Sequence, residues 1–128
     1  LQNLAQILGD VKITNLDYAD IVRAEGQDVF IFLDPPYYST TSSKLYGKNG
    51  DLHTNFNHER FAKVMKSCDH KWLITYDDCD ETRKLYEFAN IKPWTLQYGM
   101  NNYKQGQAEK GNELFISNYD FDTPREAK

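Results

Sequence analysis

Asp34, Pro35, Pro36 and Tyr37 stand consecutively, directly after the apolar run Val29-Phe30-Ile31-Phe32-Leu33. Two prolines fix φ and remove two backbone donors. The Asp34 carboxylate and the neighbouring carbonyls therefore form a rigid set of acceptors without competing amides, and Tyr37 adds a flat ring beside them. Such a group suits a planar ligand bearing an amino function, above all a nucleobase.

The elements around this tetrapeptide decide how it is presented. Five successive apolar residues, with aromatic and β-branched ones dominating, predict a strand buried on both faces of a parallel sheet. Asp34 then sits at the carboxyl end of that strand, where open α/β sheets place their ligands. Taken alone, Asp-Pro-Pro also makes ordinary turns, and Pro35-Pro36-Tyr37-Tyr38 fits the short pattern that WW domains bind in polyproline II form. A WW ligand belongs in a polar, disordered tract, whereas this one follows an apolar strand.

Helical spacing of Leu1, Leu4, Ala5 and Leu8 predicts a first helix, which Gly9 can end. Val11 to Thr14 reads as a short strand leading to Asp17-Tyr18, and residues 19–28 as a weak helix or loop. Tyr38 to Phe56 forms a polar loop of nineteen residues, a length that is either functional or disordered. Asn57 is a good N-cap, and Phe61, Val64, Met65 and Cys68 mark the core face of an amphipathic helix. Lys71 to Tyr76 is the next strand. It brings Asp77 and Asp78 to the same edge as Asp34, although both acids also suit capping of a helix that begins near Asp80. A helix over Glu81–Asn90 buries Leu85, Phe88 and Ala89. Ile91 to Tyr98 and Glu113 to Tyr119 are the last two strands. Between them lies a thirteen-residue loop, Gly99 to Gly111, with Asn101, Asn102, Tyr103 and Lys104. That mixture suits phosphate contact and base stacking, and equally suits disorder.

Composition bounds the answer. A chain of 128 residues, 40% apolar and 14% aromatic, reads as one small ordered domain. No signal peptide is expected, and no apolar stretch comes near the roughly 20 residues needed to cross a membrane. Cys68 and Cys79 make no disulfide framework, and His53, His58 and His70 show no metal spacing. No metal is expected, and a reducing, cytoplasmic compartment is. A net charge of −4 is unusual for a nucleic-acid binder.

Several stretches together resemble the Dam-type (D12 class) DNA N6-adenine methyltransferases. These are Asp34-Pro35-Pro36-Tyr37, Phe56-Asn57-His58-Glu59-Arg60-Phe61, Leu73 to Asp78, Glu81 to Tyr86 and Gly111 to Tyr119. The resemblance spans about residues 11–119. It implies a Rossmann-like class I methyltransferase sheet in the order three, two, one, four, five, seven, six, with a final antiparallel hairpin. This chain would supply strands three to seven and lack the first two strands and the target-recognition segment, so residues 1–128 are expected to be the carboxyl-terminal part of a catalytic domain. Family members hold the methionine part of the cofactor with a Phe-x-Gly-x-Gly loop. No Gly-x-Gly exists among the seven glycines here. Gly47 and Gly50 flank Lys48-Asn49 in a way that matches the clamp of KH domains only by chance. The isolated chain is therefore expected to be inactive and to self-associate through the strand left at an edge.

The resemblance further implies S-adenosylmethionine as cofactor, double-stranded DNA with a flipped adenine as substrate, and a prokaryotic, nucleoid-associated enzyme of the restriction-modification kind. Asp34, Pro35, Pro36 and Tyr37 would be catalytic. Asp17, Tyr18 and Asp34 would meet the cofactor, and Tyr37, Tyr38, Asp77, Tyr103 and Lys104 the DNA. The N6 lone pair of adenine is delocalised into the ring. Acceptors at Asp34 and the Pro35 carbonyl would each take one N6 hydrogen and draw the nitrogen towards sp3 geometry, with Tyr37 stacked on the extruded base. Two other readings stay open. One is a related enzyme acting on cytosine N4, an RNA base or a protein glutamine, and the other is a non-catalytic association module.

Overall fold

The computed structural model describes residues 2–42, 55–97 and 110–122. Four strands, β1 (Phe30–Leu33), β2 (Lys71–Asp77), β3 (Asn90–Gln97) and β4 (Lys110–Ser117), form one open sheet in the order β1-β2-β4-β3. β1 runs parallel to β2, and β4 lies antiparallel to both β2 and β3. This is the order expected for strands four, five, seven and six of the methyltransferase sheet, with the hairpin strand β4 inserted beside β2.

The helices are α1 (Gln2–Ile7), α2 (Tyr18–Val22), α3 (Tyr38–Ser42), α4 (His58–Lys66) and α5 (Asp80–Leu85). α4 starts at Asn57, whose side chain accepts from the Arg60 amide at 2.9 Å. Its apolar residues recur at helical spacing, so Phe61, Val64 and Met65 all reach the core. They meet Trp72, Ile74 and Tyr76, the alternate residues of β2, and Leu114 and Ile116 of β4. A strand displays residues i, i+2 and i+4 on one face, which is why all three β2 side chains are fully buried.

Four expectations need correction. Val11 to Thr14 is not a strand: among the described residues nothing pairs with the free side of β1, and Val11 and Ile13 remain exposed. A strand without a ladder partner leaves its backbone groups to water. β1 is not buried on both faces, since its residues alternate between exposed and half-buried, with Phe30 55% and Phe32 60% exposed. Helices pack on the face that carries Ile31 and Leu33, and the opposite face keeps both phenylalanines open. The helix after β2 ends at Leu85. Tyr86 takes the core position expected of Phe88, which stays 38% exposed, and Asn90 already belongs to β3. The polar stretch after Tyr37 begins with helix α3 rather than loop. Its remainder through residue 54 lies outside the described residues.

Candidate active site

The carboxyl ends of β1 and β2 define one edge of the sheet. Asp34 follows Leu33 at that edge, exposed, and its Oδ1 accepts from the Thr75 hydroxyl of β2 at 3.1 Å. Pro35 is buried behind it. One carboxylate oxygen of Asp34 is thus bonded to the neighbouring strand, and the exposed carboxylate keeps acceptor capacity beyond that bond.

Tyr37 is held at both ends. Its ring lies near parallel to that of Tyr76 (25°, centroids 6.4 Å apart), and its hydroxyl donates to Glu113 Oε2 at 2.9 Å. Burial, and then the Glu113 carboxylate, push the phenol well above its ordinary range. Tyr37 therefore remains a protonated donor at any physiological pH and is no candidate for a general base. Glu113 was absent from the expected site. It is a buried acid that follows the polar Asn112 in β4, and no local pattern in the sequence singles it out.

Asp77, expected to contact the substrate, makes two bonds within the fold. Its Oδ1 accepts from the Tyr38 amide at 2.8 Å and its Oδ2 from the Ser39 amide at 3.0 Å. A helix start leaves such amides without intrahelical partners, so Asp77 caps α3 from another strand. Asp78 pairs instead with Arg83 inside α5, at 2.7 Å and 3.0 Å. Cys79, at the N-cap position of α5, makes no side-chain cap bond.

Behind α3 lies a buried polar link that sequence reasoning missed. His58, at the start of α4, bonds through Nδ1 to the Tyr76 hydroxyl and through Nε2 to Thr41 Oγ1 at 3.1 Å. The ring of Tyr38 rests 5.0 Å from the imidazole, and Tyr38 also lines a cleft of about 700 Å3 between α4 and α5. Burial lowers the His58 pKa below its ordinary 6.5, against an opposing pull from Asp77. The unfolded chain then takes up this proton first as pH falls. The stability that neutral His58 contributes is complete above about pH 6.5 and is lost as pH drops through the lower folded value. Urea midpoints followed from about pH 8 to about pH 5 are expected to fall in the wild type. They should fall less steeply in His58→Gln, and equal slopes would count against this link.

Asp17 and Tyr18 are tied to the start of α4. Asp17 caps α2 by accepting from the Ala19 amide at 2.9 Å, and its Oδ1 pairs with Arg60 at 3.2 Å. Those two contacts, the amide first, hold its carboxyl below the usual range. Arg60 also donates to the Tyr18 hydroxyl at 2.9 Å and lies 5.0 Å from the centre of that ring, whose edge contact with Phe61 anchors it in the core. Asp34, Tyr37, Tyr38 and Asp77 thus meet at the carboxyl ends of β1 and β2, while Asp17 and Tyr18 are tied to the start of α4. Tyr103 and Lys104 lie outside the described residues.

Among the described residues, no group of three or more His, Cys, Asp or Glu side chains is placed to hold a metal ion. No helix among them is long and apolar enough to cross a membrane. No curated protein matches the chain. A family model, D12 class N6 adenine-specific DNA methyltransferase, matches residues 1–100. That stretch includes α1 to β3 with every expected site residue except Tyr103 and Lys104, and stops short of β4. The open α/β sheet, the acid and paired prolines at its β1 edge and this match lead to one conclusion: the chain belongs to the D12 class N6 adenine-specific DNA methyltransferase family.

Proposed function

We propose that this chain carries the base-capturing and methyl-accepting side of an S-adenosylmethionine-dependent enzyme that methylates N6 of adenine in double-stranded DNA. The observation that supports this most is Asp34 at the end of β1, with one oxygen oriented by Thr75 and two prolines following. Asp34 and the Pro35 carbonyl accept hydrogen bonds from the two N6–H groups and so concentrate the lone pair on nitrogen. As N6 becomes cationic, the Asp34 charge stabilises it, and the proton is lost afterwards. Tyr37 stacks on the base once it has left the duplex.

S-adenosylmethionine fits the residues at hand in part. Asp17 keeps acceptor capacity beyond its bonds to Ala19 and Arg60, because a carboxylate offers about four lone-pair sites. Asp17 and Tyr18 would hold the adenosine end, with Asp34 beside the reacting group. When bound, the cofactor supplies an electrophilic methyl group. Incubation of the purified full-length protein with methyl-labelled cofactor and duplex DNA tests this reading. Label recovered in N6-methyladenine supports it. Label in N4-methylcytosine, in RNA or in a protein glutamine would replace it with the related activity, and no transfer at all would favour an association module.

The chain alone is proposed to self-associate. Leu4, Ile7, Val11, Ile13, Leu16, Phe30 and Phe32 are each more than half exposed, and burying apolar surface is worth about 25 cal/mol per Å2. The side of β1 that has no partner among the described residues adds backbone donors and acceptors that a second chain can satisfy. Sedimentation of the purified 128-residue chain should show dimers or larger species, and a monomer at high concentration contradicts this.

A further inference from the structure

We infer that Glu113 is a positioning residue of the methyl-transfer site, acting with Asp77 as a two-carboxylate clamp that fixes Tyr37 before a base arrives. The inference rests on the adenine reading above for its catalytic consequence, but the clamp itself stands on geometry. Antiparallel pairing sets Asp77 of β2 directly opposite Glu113 of β4. Side chains of such a pair project from the same face, and like charges placed there destabilise a sheet. Here each acid meets donors from the stretch that follows Asp34-Pro35-Pro36. Glu113, 8% exposed, accepts from the Tyr37 hydroxyl, while Asp77 accepts from the amides of Tyr38 and Ser39.

Three consecutive residues are therefore gripped by two adjacent strands, one through its side chain and two through their backbones. The Tyr37 ring is held at its tip by Glu113 and along one side by the near-parallel ring of Tyr76. A ring whose plane is set in advance loses little freedom when a base stacks on it, so more of the stacking energy is realised as capture. Glu113 touches neither base nor cofactor in this account; it works through Tyr37. It also lies beyond the residues 1–100 that match the family model.

The test uses the full-length protein with carbon-13 at the tyrosine Cζ position, the Tyr37 signal being the one that vanishes in Tyr37→Phe. Glu113→Leu is expected to shift that signal, and Glu113→Gln, which keeps an acceptor oxygen, to leave it near its wild-type position. For kcat/KM on DNA, Glu113→Leu and Tyr37→Phe should each lose about tenfold, with Glu113→Gln recovering most of the loss. Both changes break the same Tyr37–Glu113 bond, so the double variant should lose clearly less than the product of the two single losses. A Tyr37 signal that does not move in Glu113→Leu overturns the clamp, and so does a moved signal with unchanged kcat/KM or with losses that simply multiply. A wild-type protein that leaves adenine unmethylated defeats the adenine reading instead, and the clamp is then decided by the Tyr37 signal alone. Should Glu113→Leu not fold, Glu113→Ala and Tyr37→Phe provide the same comparison.

Discussion

Asp34→Ala in the full-length enzyme is expected to lower the single-turnover rate of methyl transfer by about 10²- to 10³-fold, the usual cost of losing one group aimed at developing charge. The fold should survive. Asp34 is exposed at a strand end, outside the core cluster, and its bond to Thr75 joins two exposed or half-buried groups. Circular dichroism and urea midpoints close to wild type would confirm that. Asp34→Asn is the informative companion. It keeps one acceptor but turns the other position into a donor, and it removes the negative charge that stabilises cationic N6. A loss nearly as deep as that of alanine would identify charge as the main contribution, whereas a mild loss would identify orientation. Transfer within severalfold of wild type in Asp34→Ala would remove this residue from the mechanism.

Tyr37→Ala should have the next largest effect, and on capture rather than on chemistry. Stacking of a base on an aromatic ring is worth roughly 1–3 kcal/mol, about 5- to 150-fold in binding, and alanine also releases the Glu113 tie. The expected result is a raised KM for DNA and a weak fluorescence increase when 2-aminopurine replaces the target adenine, since extrusion of the base would be less favourable. Tyr37→Phe keeps the stacking face and loses only the hydroxyl bond, so it should fall between wild type and alanine. If phenylalanine behaved like alanine, the hydroxyl rather than the ring would be the working group.

Much of this frame was legible locally. The run before Asp34 marked β1, Lys71 to Tyr76 marked β2, and Asn57 with the spacing of Phe61, Val64 and Met65 marked α4 and its buried face. What was not legible depended on residues far apart in the chain. Asp77 caps α3 across 39 positions and Tyr37 reaches Glu113 across 76, so no local pattern could show that the polar stretch after Tyr37 begins as a helix or that β4 supplies an acid to the site. The same holds for exposure. Phe30 and Phe32 have the composition of a doubly buried strand, but burial is decided by what packs on each face, and only one face of β1 meets the helices. Val11 to Thr14 has strand-forming residues yet pairs with no strand among the described residues. Phe88 lost its core place to Tyr86 because α5 ends a turn earlier than its apolar spacing suggests. For the candidate site, residue types near Asp34 pointed to the chemistry, while Thr75, His58 and Glu113, which hold those residues in place, emerged only from the folded arrangement.

Mass spectrometry of DNA from cells that lack adenine methylation and express the full-length gene tests the central claim most directly, with Asp34→Ala as the paired control. N6-methyladenine in the wild-type sample and its absence from the Asp34→Ala sample is the predicted result. Unmodified adenine in the wild-type sample, or N4-methylcytosine in its place, would contradict the account.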